Sequence, residues 1–278
     1  MSVFLSYTRR GSGEPLVLLH GIGHRLEAFD PIVDRLAKHF DVIAVDMPGF
    51  GNSPGFTKPT DYGITALANA VAENFAVWGI EKPHVVGNSL GGAVSVALAQ
   101  QGKVRSATTL SPAGWFFPWS LIFAGLPLLF MKLGSFAPTP ILRVMARSKF
   151  GRKIMGFSLY KYPERNTPDG TFGDAIAMRK APGFWPMFLA CIPLGFRVPV
   201  IFRGPARVPL TIAWGENDRL LSPNQASLAA RSMSGINFVL LSDAGHVPMG
   251  DNPDEVIDAI LETTARATTP DATVNTAA

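Results

Sequence analysis

Short runs of apolar residues alternate along this chain with stretches whose apolar residues recur at helical spacing. Runs with the length of a buried strand lie at 16–19, 42–45, 84–86, about 106–110, 209–214 and 238–241. Helical periods fall between most of these runs, as the crossovers of a parallel sheet require. The pattern therefore predicts an α/β fold with a doubly wound, mostly parallel sheet of about seven strands.

Three of the intervening helices are predicted from their apolar patterns. One stripe covers 29–40 and includes the helix-start signal Asp30-Pro31, and a second stripe covers 64–78. Each stripe is expected to pack one helix face against the sheet. The stretch 90–100 is apolar on nearly all sides, which is typical of a helix buried in the centre of a core.

A last helix is predicted after residue 252. Asn252 is a candidate N-cap, Pro253 suits the first helical position, and Glu255 could complete a capping box. The small and polar stretch 267–278 is expected to be a disordered tail.

Residues 112–205 break the alternation, and we assign them to a helical cap inserted into a core made of 1–111 and 206–266. Within the cap, 114–131 holds no charged residue and is divided by Pro118 and Pro127. Helices packed over an apolar substrate pocket explain this stretch best, with Trp115 and Phe116 in the pocket wall. Contact with a lipid surface and a membrane span are the alternatives.

Charge separates the cap from the rest of the chain. The whole chain has a formal net charge of +4, whereas the twelve Lys and Arg and three acids of 113–203 give +9 there and −5 elsewhere. A peripheral contact with an anionic membrane or an anionic substrate would suit this basic surface, and a solvated basic face explains it equally well. No nucleic-acid-binding motif accompanies the charge, and the oligomeric state stays open.

Composition restricts the class of protein further. The apolar content of 47% suits a large globular core. The single cysteine, Cys191, excludes an internal disulfide and fits a reducing compartment. Because 1–13 lacks the apolar segment of a secretion signal, we expect a cytoplasmic protein. No cluster of metal-ligating residues is seen in the sequence, so neither a metal nor an organic cofactor is expected.

A candidate nucleophile lies where a predicted strand meets a predicted helix. Gly87-Asn88-Ser89-Leu90-Gly91 follows the run 84–86 and precedes the apolar helix. Such a corner strains and exposes its serine, and the small residues allow strand and helix to approach closely. The helix N-terminus directs free N–H groups to the same point. A structural turn serine is the alternative, so the assignment depends on partners elsewhere in the chain.

Two residues supply those partners in the expected chain order. His246, the candidate base, follows the run 238–241 in Asp243-Ala244-Gly245-His246-Val247-Pro248. Asp218, the preferred acid, ends the loop Gly215-Glu216-Asn217-Asp218 after the run 209–214. Ser89, Asp218 and His246 then form a nucleophile, an orienting acid and a base in the order Ser, Asp, His.

Three other carboxylates compete for the role of the acid. Asp243 is close enough in sequence to His246 to cap its own turn, and Asp46 precedes a Pro-Gly turn that explains it structurally. Glu216 is the nearest alternative, because it lies on the same loop as Asp218.

The oxyanion would be stabilised by backbone N–H groups. The run 16–19 ends in the glycine-containing turn His20-Gly21-Ile22-Gly23-His24, and we expect the N–H of Ile22 and that of Leu90 to be the two donors. His20 is interpreted as a structural histidine of the turn. Further residues of this turn and of the histidine loop are expected to bind substrate, namely Gly21, Gly23, His24 and Val247.

Taken in order, these motifs resemble the α/β-hydrolase superfamily, in its serine-hydrolase branch with an inserted cap. They are His20-Gly21-Ile22-Gly23, Asp46-Met47-Pro48-Gly49-Phe50-Gly51-Asn52-Ser53, Gly87-Asn88-Ser89-Leu90-Gly91-Gly92, Trp214-Gly215-Glu216-Asn217-Asp218 and Gly245-His246. The resemblance covers about residues 3–265. The family's sheet usually has eight strands, and because only 3–8 precedes the run at Leu16, the first strand is expected to be missing or very short.

The resemblance implies a serine hydrolase that cleaves a carboxylic ester with an apolar acyl or alcohol part through an acyl-enzyme. Serine at position 89 separates the chain from haloalkane dehalogenases and epoxide hydrolases, which use a carboxylate nucleophile. Carbon-carbon bond hydrolases of ring-cleavage products have a similar Gly-Asn-Ser-x-Gly elbow and are the enzymatic alternative. A non-catalytic ligand-binding protein with this fold is the alternative of a different class.

Overall fold

The computed structural model describes residues 3–117, 120–197 and 200–268. Within them, seven strands form one sheet in the order β1-β3-β2-β4-β5-β6-β7, in which β1 pairs antiparallel with β3 and every other pair is parallel. The strands are β1 (Tyr7–Gly11), β2 (Glu14–Leu19), β3 (Phe40–Val45), β4 (His84–Asn88), β5 (Ser106–Leu110), β6 (Gly204–Gly215) and β7 (Met233–Leu241). The predicted doubly wound, mostly parallel sheet is confirmed.

The strand at the start of the described chain is short. It spans Tyr7–Gly11, and all five of its residues are exposed. Strand β1 lies at the sheet edge, where Tyr7 pairs with Val45 and Gly11 with Asp41. Its stability therefore comes from backbone pairing more than from burial, and the apolar pattern could not reveal it.

Helices cover both faces of the sheet and create two apolar cores. One core contains the inner faces of α2 (Ile64–Val77) and α3 (Leu90–Gln100), and the other contains those of α1 (Asp30–Leu36) and α11 (Pro253–Thr268). Ten consecutive residues of α3, Leu90 to Ala99, are buried, as its apolar composition predicts.

The first helix is shorter than its apolar stripe. Helix α1 ends at Leu36, whereas Phe40 is the first residue of β3 and pairs with Glu14 of β2. The stripe continued past the helix end because residues of the helix and of the following strand enter the same core.

The predicted capping box of the last helix forms only in part. The Asn252 side-chain oxygen accepts the Glu255 N–H at 3.3 Å, so Asn252 does cap α11. The Glu255 carboxylate instead accepts the N–H of Ser242 at 2.7 Å, which ties the helix to the end of β7. Helix α11 includes residues 267 and 268, which the sequence assigned to the tail, and 269–278 lie outside the described residues.

The segment between β5 and β6 is helical in its described parts. Its helices are α4 (Ser120–Gly134), α5 (Thr139–Arg147), α6 (Lys149–Gly156), α7 (Pro168–Lys180) and α8 (Phe184–Arg197), and we call this segment the cap. The remaining helices, α9 (Ala226–Ser232) and α10 (Pro248–Asp251), follow β6 and β7. Helix α4 contains Pro127, which can donate no hydrogen bond to the preceding turn.

None of the described helices is long and apolar enough to cross a membrane alone. The consecutive segments 122–134 and 139–147 meet the length and composition criterion only jointly, with a bend of 117° between them.

Candidate active site

Ser89 occupies the sharp turn between β4 and α3. Its φ of +56° and ψ of −114° lie in a region that L residues rarely adopt, so the turn stores backbone strain. A Cβ on Gly87 would collide with the carbonyl of Gly91, and one on Gly91 would collide with the carbonyl of Leu19. These contacts explain why the two glycines flank the serine, since any side chain there would force the strand and the helix apart.

Asp218 and His246 meet across the ends of β6 and β7. The Asp218 Oδ2 atom lies 2.8 Å from Nδ1 of His246, and both side chains are almost completely buried. The second carboxylate oxygen of Asp218 accepts the N–H groups of Leu220 and Leu221, each at 2.8 Å. With all these bonds, the carboxylate has a fixed orientation and holds the histidine ring in one position.

The other ring nitrogen of His246 is available for chemistry. Because Nδ1 donates to a carboxylate, Nε2 carries the lone pair of the neutral ring. This Nε2 atom is buried and has no hydrogen-bond partner among the described residues. His246 and Ser89 line one cavity, so an acceptor for the serine proton lies beside the strained turn.

The competing carboxylates have other partners. The Asp46 carboxylate accepts the N–H groups of Leu26 at 2.8 Å and Asn52 at 2.9 Å, and burial raises its pKa. Glu216 accepts the N–H of Asp243 at 3.0 Å. Asp243 itself is exposed and bonds the Lys161 side chain, whose hydrogen bond lowers the Asp243 pKa. All three therefore organise loops, and Asp218 is the carboxylate that bonds His246.

The two expected oxyanion donors come from the start of α3 and from the turn after β2. Leu90 is the first residue of α3, where backbone N–H groups have no partner within the helix. Ile22 lies in the turn after β2, and Ile22, Ser89 and Leu90 line one cavity.

The side chain of His20 stabilises this turn through hydrogen bonds. Its Nδ1 atom donates to the carbonyl of Gly21 at 2.7 Å, and its Nε2 atom accepts the N–H of Met47 at 3.0 Å. Complete burial lowers the pKa of His20 to about 3, so the ring is neutral at physiological pH. This bonding pattern agrees with the structural role inferred from the sequence.

Three adjoining cavities lie at or next to Ser89 and His246. The first, which we call the acyl cavity, has a volume of about 290 Å³ and includes Ser89 and Leu90 in its wall. The second, the central cavity, has about 50 Å³ and contacts both Ser89 and His246. The third, the cap cavity, has about 230 Å³ and is lined by cap residues. The central cavity shares wall residues with each of the other two, so the three cavities adjoin one another beside the candidate nucleophile.

Most of the residues expected to bind substrate face these cavities. Gly21, Gly23, His24 and Val247 line the central cavity, and Phe116 lines the acyl cavity. Trp115 corrects the prediction, because it lines none of the three cavities. Its ring is fully buried, its Nε1 donates to Ser232 Oγ at 2.7 Å, and it packs on Phe202 with ring centroids 5.4 Å apart. Trp115 anchors the start of the cap to the core instead.

Sequence reasoning missed most of the cavity walls. The acyl cavity is completed by apolar residues of α4, α8 and the loop after β6, including Ile122, Leu126, Leu129, Phe188, Cys191, Leu220 and Leu221. Burial raises the pKa of the Cys191 thiol to about 12, so it serves as an apolar wall residue. The uncharged stretch 114–131 was the available signal for α4, and no local pattern identified α8 as a wall.

Asp251 is another residue that sequence reasoning did not identify. Its Oδ2 atom accepts the N–H groups of Gly245 at 2.9 Å and Lys161 at 2.8 Å, and its Oδ1 atom accepts that of Tyr162 at 2.9 Å. The N–H of Val247 also bonds the carbonyl of Leu159 at 2.9 Å. The loop that carries the histidine is therefore fastened to the cap on both sides of His246.

Comparison with known proteins agrees with this architecture. The model of the alpha/beta hydrolase family matches residues 16–259, which span the elbow, the acid loop and the histidine loop. The chain belongs to the alpha/beta hydrolase family.

Individual relatives share less than a third of their residues with this chain. The chain is 29% identical over 245 residues to Lipase 3 of Moraxella sp., covering 86% of this chain and 73% of that protein. It is 28% identical over 267 residues to a pimeloyl-[acyl-carrier protein] methyl ester esterase of Aeromonas salmonicida, covering 92% of this chain and 97% of that protein. The structure of a thermophilic esterase from Thermogutta terrifontis superposes with a TM-score of 0.69 at 21% identity, over 96% of this chain and 95% of that one.

Proposed function

We propose that this protein is a serine hydrolase that cleaves carboxylic esters with an apolar acyl chain. The observation that carries the proposal is the bond between Asp218 and His246, which leaves the free Nε2 atom of His246 in the same cavity as Ser89. The lipase and esterase names of the relatives support ester hydrolysis.

The reaction begins when Ser89 Oγ attacks the ester carbonyl carbon and its proton passes to Nε2 of His246. Asp218 stabilises the imidazolium that forms and keeps the ring in the productive tautomer. The N–H groups of Ile22 and Leu90 stabilise the negative oxygen of the tetrahedral intermediate, a contribution typically worth about 100- to 1000-fold in kcat for each donor.

Collapse of that intermediate breaks the ester bond. His246 donates the proton to the departing alcohol, and the acyl group stays on Ser89 Oγ. A water molecule then gives its proton to His246 and attacks the acyl carbon, which releases the carboxylic acid and restores the serine.

The residues that line the acyl cavity determine which acyl groups it can bind. Its described wall consists of aliphatic and aromatic side chains, one thiol and Ser89, and it includes no charged residue. Each buried methylene of a chain in such a wall favours binding by about 0.8 kcal/mol. Medium and long acyl chains should therefore be preferred over acetate, and anionic acyl groups should be rejected.

Two experiments test the proposal. A fluorophosphonate probe should label the wild type and Ser95→Ala, a variant of a buried serine of α3, but not Ser89→Ala. Labelling of Ser89→Ala, or ester turnover by that variant with its fold intact, would refute the assignment. Asp218→Asn should retain labelling at a much reduced rate, with kcat lower by about 10⁴-fold.

A substrate panel distinguishes the alternatives. Aryl esters from acetate to long acyl chains should show a steep rise in kcat/KM with chain length. Turnover of a ring-cleavage dienoate without ester turnover would favour carbon-carbon bond hydrolysis. Stabilisation by ligands with neither labelling nor turnover would favour a non-catalytic binding protein.

A further inference from the structure

The central cavity shares wall residues with both the acyl cavity and the cap cavity, whereas these two have no described wall residue in common. Ile22, Ser89, Leu128 and Leu220 line both the acyl and the central cavity. Met131, Leu159, Asp174 and Met178 line both the central and the cap cavity. A molecule with its ester carbon at Ser89 therefore has two adjoining cavities into which its acyl side and its alcohol side can extend.

The walls of the central and cap cavities contain buried polar atoms that have no hydrogen-bond partner among the described residues. The Nδ1 atom of His24 accepts the N–H of Arg25 at 3.0 Å, so the proton of the neutral ring lies on Nε2. That buried Nε2 has no hydrogen-bond partner among the described residues, and Oδ2 of Asp174 lies 3.8 Å away. A ligand oxygen beside this pair, within hydrogen-bond distance of both atoms, could accept from His24, and a hydroxyl could also donate to Asp174.

The cap cavity holds a second such atom. Thr171 is more than nine-tenths buried and lines the cavity, and its Oγ1 has no hydrogen-bond partner in the described part of the chain. The Arg152 guanidinium in the same wall already donates to the carbonyls of Ala146 at 2.8 Å and Glu164 at 3.0 Å. Buried polar groups usually have partners, so unpaired ones in a cavity wall suggest a ligand that supplies them.

We propose that the cap cavity binds the alcohol part of the substrate, which carries its own apolar chain and at least one hydrogen-bonding oxygen near the scissile ester. The substrate class is an ester with apolar chains on both sides of the reacting carbonyl, such as a two-chain lipid. This proposal rests on the proposed ester hydrolysis and specifies the side of the substrate that departs first.

Matched decanoate esters of methanol, hexanol and decanol test the proposal. The kcat/KM value should rise about three- to fourfold for each alcohol methylene until the cap cavity is filled. Ala175 lines the cap cavity and neither of the other two cavities. Ala175→Phe should therefore lower the ratio of kcat/KM for the decyl ester to that for the methyl ester at least tenfold. Cys191→Phe, which changes the acyl cavity, should instead alter the preference among acyl lengths.

A substitution of nearly the same size tests the proposed hydrogen bond to the alcohol part of the substrate. Thr171→Val should lower kcat/KM for an ester whose alcohol carries a hydroxyl more than for its hydrocarbon counterpart. Ester turnover that is insensitive to alcohol length in the wild type, with unchanged ratios in Ala175→Phe and Thr171→Val, would overturn this proposal and leave the hydrolase assignment standing. Complete lack of ester turnover would instead contradict the proposed function.

A separate observation concerns the outer surface of the cap. Helix α4 exposes a stripe of apolar side chains at Phe123, Leu126, Phe130 and Leu133, with 70% of Phe123 and 60% of Phe130 accessible. Val144 of α5 and Phe150 of α6 are accessible to 67% and 73%. Exposed apolar surface on this scale is uncommon and indicates an interaction surface.

Basic residues accompany these side chains. Arg143, Arg147, Lys149 and Lys153 on α5 and α6 are exposed. They belong to the stretch 113–203, whose formal charge of +9 contrasts with −5 for the remainder of the chain. Apolar side chains interleaved with basic ones are complementary to an anionic bilayer, which offers hydrocarbon below a negative surface.

The cavities open at this same surface. Leu126 is exposed and also lines the acyl cavity, and Phe130 and Ile154 are exposed and also line the cap cavity. We infer that the cap docks on an anionic lipid bilayer through α4, α5 and α6, so that apolar substrates enter the cavities directly from the lipid.

Co-sedimentation with lipid vesicles tests this inference. The wild type should bind vesicles of phosphatidylcholine mixed with phosphatidylglycerol, and binding should weaken at high salt and on phosphatidylcholine alone. Phe123→Ser with Phe150→Ser should reduce binding at least tenfold. Arg147→Glu with Lys149→Glu should reduce it by about fivefold or more for each residue. Val77→Ser, which removes an exposed apolar residue of the core helix α2, is the matched control.

Two results would overturn the docking proposal. One is vesicle binding that none of the cap variants changes. The other is light scattering that shows a stable dimer, broken by Phe123→Ser with Phe150→Ser, because a second copy of the chain would then cover this surface.

Discussion

The side-chain amide of Asn88 donates a hydrogen bond of 2.8 Å to the backbone carbonyl of His246. The same nitrogen donates to the carbonyl of Leu110 at 2.9 Å, and Asn88 is almost fully buried. The residue before the candidate nucleophile thus fixes the backbone of the candidate base, 158 positions further along the chain. The geometry of the site depends on this amide as well as on the Asp218–His246 bond.

Asn88→Ala should impair both turnover and stability. Two buried carbonyls lose a donor, which costs about 1–3 kcal/mol each, and the displaced imidazole should lower kcat by about 100-fold. Steady-state kinetics and urea unfolding measure the two effects. Asn88→Asp, which keeps the shape but cannot donate, should behave similarly, whereas Asn69→Ala on the exposed face of α2 serves as a control. Wild-type kcat in both Asn88 variants would contradict this role.

Asp251 should be required to hold the histidine loop against the cap. Asp251→Asn leaves one oxygen for three backbone donors and places an amide group against an N–H, so we expect a loss of about 2–4 kcal/mol in the free energy of unfolding. Hydrogen exchange should become faster at the amides of Gly245, Lys161 and Tyr162. The matched change Asp254→Asn removes an exposed pairing with Arg35 and should cost less than about 1 kcal/mol. Equal effects of the two changes would argue against the role of Asp251.

His20 should make the protein sensitive to acid. Its pKa of about 3 in the folded state lies below the ordinary histidine value of 6.5, so between these values the unfolded chain binds a proton that the folded chain excludes. The stabilising contribution is complete above about pH 6.5 and is lost as the pH falls toward 3, by up to about 1.4 kcal/mol for each pH unit.

The non-titrating variant His20→Gln isolates this effect. Urea unfolding of both proteins at about pH 7.5 and about pH 4.5 should show a wild-type advantage that shrinks at the lower pH. An advantage that stays constant across the range would show that His20 does not exclude its proton.

Lys132 should hold the cap helices together. This buried side chain of α4 donates to the carbonyls of Met178 at 2.6 Å and Arg179 at 3.2 Å in the last turn of α7. Its ammonium group lies 5.1 Å from the ring centroid of Phe184, and burial lowers its pKa. Lys132→Met leaves both carbonyls without this donor, which should destabilise the cap by about 2–3 kcal/mol.

Limited proteolysis measures that effect, with cleavage expected within 120–197 at a rate at least tenfold above the wild type. Lys153→Met, which breaks an exposed pairing with Glu164, should leave the cleavage pattern unchanged. If Lys132→Met resists protease as well as the wild type does, the cap does not depend on this contact.

The sequence by itself determined the alternating architecture and the chain order of Ser89, Asp218 and His246. These features are local, because an apolar strand, a glycine-flanked turn and a loop at a strand end each leave a pattern within a few residues. Patterns failed where one signal fits two structures. Phe40 continued a helical stripe into a strand, and Glu255 bonded Ser242 instead of closing a capping box.

Only the tertiary structure decided how distant segments meet. The bonds from Asn88 to His246 and from Asp251 to the cap join residues 158 and about 90 positions apart, and short-range periodicity carries no information about such pairs. Trp115 is an aromatic residue of the uncharged stretch and was therefore expected in the pocket wall. It instead anchors the cap, because its indole N–H donates a hydrogen bond to Ser232 Oγ. The three cavities are likewise shaped by the packing of cap helices on the core, which depends on side-chain complementarity between elements that are far apart in the chain.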